Sequence, residues 1–509
     1  MKARIFSLLI ALAATPGWAA PVITLVQGKL AGSTRDGVAA FKAIPYAAPP
    51  LRALRWRAPA RPRSWSGVRQ ATAFGPVCAQ APVDWAGHDL DRRSEDCLTL
   101  NIWTPRPMPG AHLPVMVWFH GGGYTAGAGS QSTYEGTALA RRGAVIVTIN
   151  YRLGVLGYLA HPALSRESPL GVSGNYGLLD QIAALKWVRA NIARFGGDPG
   201  NVTIFGQSAG GGSAMLVSVS PMARGLFQKA IFESGAALGL PGMQEGDPNG
   251  LKAAEEAGSA FARKLGATSL AQLRALPASA LIAAKAPRVI TGPIIDGKVV
   301  PLDITAAYRS RRDAGVPILL GWNSNEAARF ISHETQTSYA ASVRSNYGAI
   351  APELLHLYPA SDDATATRAA QDLMSDTGFG WRSWSIAEAR ATPGASPLFL
   401  YRFDNPPPGP NGQRTDGAVH SDELGYVWGN NDPDGRWLEA DKALAQTMQA
   451  YWINFARTGN PNGAGLPRWA PYRDGRSALW FRDGKEIDGP PLRTDRLKQL
   501  DHLAAQQGR

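Results

Sequence analysis

A serine can attack a carbonyl only if a base takes its proton, an acid orients that base, and amide groups receive the developing negative charge. The sequence offers a place for each part. Gly206-Gln207-Ser208-Ala209-Gly210 fits G-x-S-x-G. The bare pattern is weak, but here it lies between the strand-like "NVTIFG" and a helix-like run. That context suits a sharp strand-to-helix turn that lifts a nucleophile out of a sheet. The flanking glycines then have a steric reason, since side chains there would crowd the turn.

In a strand–serine–helix arrangement of this kind the partners follow in the order acid, then histidine. Of the eight histidines, His333, His356, His420 and His502 come after Ser208. His356 falls in the helical "PELLHLYP", His502 in the charged tail and His333 in a helix-like stretch. His420, in "NGQRTDGAVHSDELG", sits in a long loop after a strand, where catalytic groups tend to lie. A solvated loop histidine is the alternative. For the acid, Glu326 follows the strand "VPILLGW", with Asp303 and Asp313 as rivals and an ordinary surface glutamate as the bland reading. "HGGG" (120–123) follows a strand, so Gly122, Gly123 and Ala209 are the expected oxyanion donors. The run 121–126 also fits a G-x-G-x-x-A dinucleotide fingerprint. That reading is disfavoured because "YTAGAGSQS" opens a helix poorly and the next strand ends at Asn150, not at an acidic residue.

These residues need a frame. "LPVMVWFHGGG" (113–123) and "GAVIVTINYRLG" (143–154) are continuous apolar runs of the kind that buried parallel strands require. Residues 176–197 read as a helix ended by Gly196-Gly197, and strands return at 316–322 and 397–405. The alternation predicts an α/β fold: a central, mostly parallel sheet with helices on both faces. Helical stretches near 250–285 and 335–392 are expected as cap insertions in a single domain.

Bulk properties set the context. The chain has 509 residues, 45% of them hydrophobic and 18% charged, which is ordinary for a globular protein and argues against wholesale disorder. "MKARIFSLLIALAATPGWAA" has the basic start, short apolar run and small residues of a signal peptide cleaved after Ala19. The protein is therefore expected to be exported, to a bacterial periplasm or the medium, with no stable membrane insertion. An oxidising compartment favours pairing the two cysteines, Cys78 and Cys97. The formal charge of +12 falls to +10 once Lys2 and Arg4 leave with the leader. Because the basic residues are scattered, without a tract or interleaved aromatics, nucleic acid is not an expected partner. A basic surface could favour anionic envelopes or acidic substrates.

The combined motifs resemble the type B carboxylesterase and cholinesterase family of α/β-hydrolases, which includes bacterial para-nitrobenzyl esterases. The resemblance runs through "VQGKLAG", "FKAIPYAAPP", "SEDCLTLNIWTP", "WFHGGGYTAG", "NYRLGVLGYL", "NVTIFGQSAGG", "GPIIDGKVVP" and "YWINFARTGNPN". It implies the α/β-hydrolase fold and a serine esterase acting on small-molecule esters without a metal or other cofactor. It puts the nucleophile at Ser208, the acid at Glu326 and the base at His420. It also implies oxyanion donors at Gly122, Gly123 and Ala209, a Cys78–Cys97 disulfide and a structural ion pair between Arg55 and Glu95. Asn325 stands where the family usually has an acidic residue, and Ala327 where it usually has glycine. A carbamate or amide hydrolase, or a lipase, would use the same machinery; an adhesion-type or nucleotide-binding protein fits the filled positions less well. Fifteen tryptophans suggest some aromatic lining of the pocket, with Trp85 in the cysteine loop at its entrance. The natural ester is not legible, and a monomer is the default oligomeric state.

Overall fold

Continuous apolar runs with no polar alternation must be covered on both faces, and the structure, a computed structural model, does this with helices on either side of an eleven-stranded sheet. It describes residues 20–235 and 250–507, apart from 431, 433, 434, 484, 490 and 492. The expected leader, 1–19, lies outside the described residues. The strands are β1 (Ser33–Arg35), β2 (Val38–Pro45), β3 (Thr99–Thr104), β4 (Leu113–Phe119), β5 (Val145–Ile149), β6 (Gly197–Gln207), β7 (Lys229–Glu233), β8 (Ile318–Asn323), β9 (Leu398–Asp404), β10 (Ala478–Arg482) and β11 (Lys485–Gly489). Their order in the sheet is β11-β10-β9-β8-β7-β6-β4-β5-β3-β2-β1.

The inner block from β5 to β10 is parallel. Both margins are antiparallel: β3 runs against β5, β2 against β3, β1 against β2, and β11 against β10. The chain moves from β4 to β5 on one side and then to β6 on the other, so β4 marks the point where the strand order reverses. Crevices at the carboxyl ends of strands form at such points. The register Gly206↔Phe119 sets the turn after β6 beside the loop after β4.

Alternation along β4 divides the core. Val115, Val117 and Phe119 join one apolar cluster with Leu178, Ile182 and Leu185 of α1 (Tyr176–Asn191). Met116 and Trp118 join a second cluster on the opposite face, with Met448, Tyr451 and Trp452 of a twenty-residue helix, Glu439–Thr458. α1 ends in a short 3₁₀ turn closed by Gly196 at φ 84°, where any Cβ would strike the Arg106 carbonyl oxygen. α2 (Ala209–Val219) is buried along its whole length.

Two further groups of helices leave the sheet. One comprises α3 (Leu251–Lys264), α4 (Leu270–Ala275) and α5 (Ala278–Ala283). The other comprises α6 (Gln336–Tyr347), α7 (Ala351–Leu357), α8 (Asp363–Ser375) and α9 (Trp381–Arg390). Arg55 fastens the first group. Its Nε and Nη2 donate to Glu95 at 2.7 and 2.5 Å, while Nη1 donates to the Arg274 and Leu276 carbonyls at 3.0 and 2.7 Å. Among the described residues no helix is long and apolar enough to cross a membrane.

Cys78 and Cys97 are bonded, and both are buried. Closing a loop of about twenty residues stabilises by about 3 kcal/mol in the chain-entropy model. Cys97→Ser is therefore expected to lower unfolding stability by about that amount in a denaturant titration. The wild type should take up no alkylating agent by intact mass unless first reduced.

Candidate active site

Ser208 occupies the single residue between β6 and α2, with φ 57° and ψ −127°. A non-glycine residue there costs about 1–3 kcal/mol unless its surroundings hold it. They do so by exclusion. A Cβ at Gly210 would lie 1.9 Å from the Phe119 carbonyl oxygen, and one at Gly206 would lie 2.5 Å from the Gly210 carbonyl. The Ser208 N–H donates to the Glu233 carbonyl at 3.0 Å, and the Ser208 carbonyl receives the first helical bond of α2, from Gly212 at 2.9 Å.

The loop after β4 lies against this turn. A Cβ at Gly121 would be 3.2 Å from the Ser208 Cβ. Gly122 (φ 105°) and Gly123 (φ 64°) need conformations that L-residues rarely adopt, and a Cβ at Gly122 would sit 2.1 Å from the Ala126 carbonyl oxygen. Among the described residues no acceptor takes the N–H of Gly122, Gly123 or Ala209. His120 braces the loop from below: Nδ1 donates to the Gly121 carbonyl at 2.8 Å, and the ring stacks on Tyr151 at 4.3 Å. Burial pushes His120 down to about 4, so this ring is neutral. After 121–126 the chain continues in turns to the 3₁₀ segment Ser132–Tyr134.

His420 Nδ1 meets Glu326 Oε2 at 2.6 Å, and both side chains are buried. The other carboxylate oxygen of Glu326 accepts the Asn323 N–H at 2.7 Å. Two loops from distant parts of the chain are joined here. Asn323 Nδ2 donates to the Val419 carbonyl at 2.7 Å, the Ala418 N–H to Ser324 Oγ at 2.8 Å, the Asn325 N–H to the Ala418 carbonyl at 2.9 Å, and Arg329 Nη1 to the His420 carbonyl at 2.9 Å. The His420 ring packs on Phe379, 4.7 Å away in the π-helical stretch Asp376–Gly380 between α8 and α9, and on Phe330 at 5.3 Å. Its free nitrogen, Nε2, is 3.4 Å from Gln207 Nε2, on the residue preceding Ser208. Ser208 and His420 line one cavity of about 600 Å³, together with Gly121, Gly122, Gly123 and Trp85.

The rival residues are engaged elsewhere. Asp303 caps the helix 304–309 and pairs with Arg382 at 2.7 Å, and Asp313 pairs with Arg390. His356 is exposed on α7, and His502 is exposed on the helix Thr494–Gln507. His333 lies in coil ahead of α6; its helical reading fails because the capping box of Thr335 and Ser338 starts the helix two residues later. Of the tryptophans, Trp85 lines the cavity, while Trp103, Trp118, Trp428, Trp452 and Trp469 are core.

Comparison with known proteins places the chain in a family. The model of the carboxylesterase family matches residues 19–482. The chain belongs to the carboxylesterase family. It has the α/β-hydrolase fold and is a carboxylic ester hydrolase. It is similar to the fumonisin B1 esterase of Sphingopyxis macrogoltabida, with 39% identity over 457 residues, 87% of this chain and 83% of that one. It is also similar to the para-nitrobenzyl esterase of Bacillus subtilis (strain 168), with 38% identity over 503 residues, 94% and 98% of the two chains. The solved structure of a thermophilic para-nitrobenzyl (PNB) esterase aligns with a TM-score of 0.83 at 34% identity, covering 95% of this chain and all of that one.

Beneath the site of this carboxylesterase lie carboxyl groups that the sequence pattern did not mark. Glu233, at the end of β7, is fully buried. Its Oε1 accepts the Trp452 indole N–H at 2.6 Å, while Oε2 has no partner. Desolvation pushes it up to about 8. Glu423 accepts from Asn323 Nδ2 at 2.5 Å and is also raised, by burial and by the Glu326 and Glu233 charges. A signal for Glu233 existed in principle: an acidic residue closing an apolar strand.

Two predictions follow from this geometry. Gly122→Ala should displace the turn from the serine and lower kcat about 10²–10³-fold on a chromogenic ester, with a lower melting temperature as well, because the added Cβ meets the Ala126 carbonyl oxygen at a φ of 105°. Glu233 binds its proton more tightly in the folded protein than in the unfolded chain, so its contribution to stability is fully present below pH 4.5 and is lost as pH rises through about 8. Glu233→Gln keeps an acceptor for Trp452 and cannot ionise. Its Tm should fall less than that of the wild type between about pH 5 and about pH 8, the two curves approaching each other at the acid end.

Proposed function

We propose that this carboxylesterase works through an acyl-enzyme on Ser208, with His420 as general base and then acid, and Glu326 holding the imidazole in place. The observation that carries the reading is the buried 2.6 Å contact of His420 Nδ1 with Glu326 Oε2. It fixes the proton on Nδ1 and leaves Nε2 as the basic nitrogen, on the side of the Gln207–Ser208 turn.

In the first step Nε2 takes the Ser208 proton as Oγ bonds to the ester carbonyl carbon. The carbonyl oxygen becomes an oxyanion held by the amides of Gly122, Gly123 and Ala209. The C–O bond to the alcohol then breaks as His420 returns the proton to the leaving oxygen. Water repeats the sequence on the acyl-serine, giving the carboxylic acid and free serine. The Gln207 amide, which donates to Ser421 Oγ at 3.0 Å, ties the serine turn to the histidine loop.

Residues 20–509 are read as one domain with helical insertions over the sheet, preceded by a cleaved leader. The buried disulfide suits an oxidising compartment, which supports export to the periplasm or medium. Small-molecule esters are the substrates, and the relatives named for fumonisin B1 and for para-nitrobenzyl compounds support a pocket open to bulky ones. No partner macromolecule is invoked.

The test is Ser208→Ala, which should reduce kcat on 4-nitrophenyl esters by roughly 10⁴–10⁶ with an unchanged melting temperature. A burst of 4-nitrophenolate equal to the enzyme concentration, seen in the wild type and missing in the variant, would identify the acyl-enzyme. Retention of most of the activity would refute the assignment.

A further inference from the structure

The charge lining the cavity is one-sided. Among the described residues its ionisable members, apart from His420 and Tyr134, are Arg288 and Arg329, and no described aspartate or glutamate lines it. Burial keeps the Tyr134 hydroxyl neutral, and Trp85, Phe330, Met374 and Phe379 are among the apolar members of the wall. Two cations in one cavity, with no acidic residue in its described wall, produce a positive potential that an anionic ligand group would relieve.

The two arginines come from different walls. Arg288 begins the 3₁₀ turn Arg288–Ile290 after α5, on the side of the glycine loop, close enough to act on the hydroxyl of Tyr124, the residue after Gly123. Among the described residues its guanidinium forms no ion pair or hydrogen bond. Arg329 stands on the histidine side and uses one N–H on the His420 carbonyl. The carboxyl group acting on it is Asp422, which is half-buried, accepts the Val419 N–H at 2.8 Å and is pushed up to about 7 by desolvation. Asp89, near the rim, is engaged by the N–H and Oγ of Ser132 at 2.7 and 2.8 Å. Neither of these carboxyl groups is part of the cavity wall.

Fixed guanidinium groups are suited to carboxylates, which they bind with charge-assisted, often bidentate hydrogen bonds. Resting on the esterase reading above, we infer that the substrates of this site are esters that carry a second, free carboxylate, such as half-esters of dicarboxylic acids. Arg288 is a specificity-determining group for that carboxylate. An apolar spacer between ester and carboxylate would lie along the aromatic wall while the ester carbonyl faces Ser208.

Two substrate pairs test this, with the charge placed on either side of the ester. On the acyl side, mono-4-nitrophenyl glutarate is compared with 4-nitrophenyl pentanoate; on the alcohol side, 4-acetoxybenzoate is compared with 4-methylphenyl acetate. The readout is the ratio of kcat/KM, anionic over neutral, in the wild type and in Arg288→Gln. That ratio does not depend on how much of each preparation is active. In at least one pair it should fall about tenfold in the variant, and added salt should lower the wild-type ratio in the same direction. Ratios equal in the two proteins for both pairs would overturn the inference while leaving the esterase reading intact, provided the neutral esters are turned over in a Ser208-dependent way. Failure to hydrolyse any of the four would remove both.

Discussion

A backbone that cannot carry side chains around one residue is the constraint from which the rest of this molecule follows. Ser208 is held at φ 57° and ψ −127° because β6 must turn into α2 with no intervening residue to absorb the change of direction. The turn closes only if Gly206 and Gly210 approach each other and the Phe119 carbonyl more closely than any Cβ permits. That closeness sets β4 against β6 and so decides which loop lies over the serine. The strain of about 1–3 kcal/mol is local, and what holds it is not. Both strands sit at the middle of the sheet, and α2 is buried along its length. The proposed nucleophile, built this way, needs the whole doubly covered sheet beneath it.

The second requirement is electrical. Histidine and carboxylate must meet in a dry place, yet the floor of the site already holds Glu233 and Glu423, both buried, and the half-buried Asp422. Three ionised carboxylates beside Glu326 would compete for the imidazole proton and repel one another. Burial resolves the conflict by raising the pKa values of these three. Glu326 differs from them in its partners: a backbone amide on one oxygen and the imidazole on the other.

These causes also explain what could be read from the sequence. Ser208 was legible because its steric demand is written locally, as glycines at fixed offsets, and the inner strands were legible as unbroken apolar runs. The acid was not settled by position, since Glu326, Asp303 and Asp313 all border the same part of the chain. What separates them is a partner far away in sequence: Arg382 for Asp303, Arg390 for Asp313, and His420, 94 residues distant, for Glu326. The family resemblance supplied that choice. Asn323, Ser324 and Gln207, which join the two loops, carry no local signature at all. The antiparallel margins β1–β3 and β10–β11 were missed for a related reason. Short or partly exposed strands show little apolar period of their own, as with β1, whose three residues are partly or fully exposed.

The floor and the walls of the cavity have different origins, and this bears on what the enzyme can accept. Ser208, Glu326, His420 and the glycine loop stand at the carboxyl ends of β6, β8, β9 and β4 or in the loops that follow, positions set by sheet register. Trp85 comes from the disulfide loop, Arg288 from the segment after α5, and Met374 and Phe379 from the junction of α8 and α9. These wall pieces are anchored by their own devices: Cys78–Cys97 for the first, the Arg55 contacts to Arg274 and Leu276 for the helices leading to Arg288, and the π-helical stretch for the third. A change in one wall segment therefore alters which acyl or alcohol group is admitted without disturbing the register that aligns the reacting groups. The relatives 39% and 38% identical to this chain are both named as esterases, one for fumonisin B1 and one for para-nitrobenzyl compounds. The separation of floor from walls places the determinants of selectivity in this chain in segments where a serine-centred motif gives no warning of them.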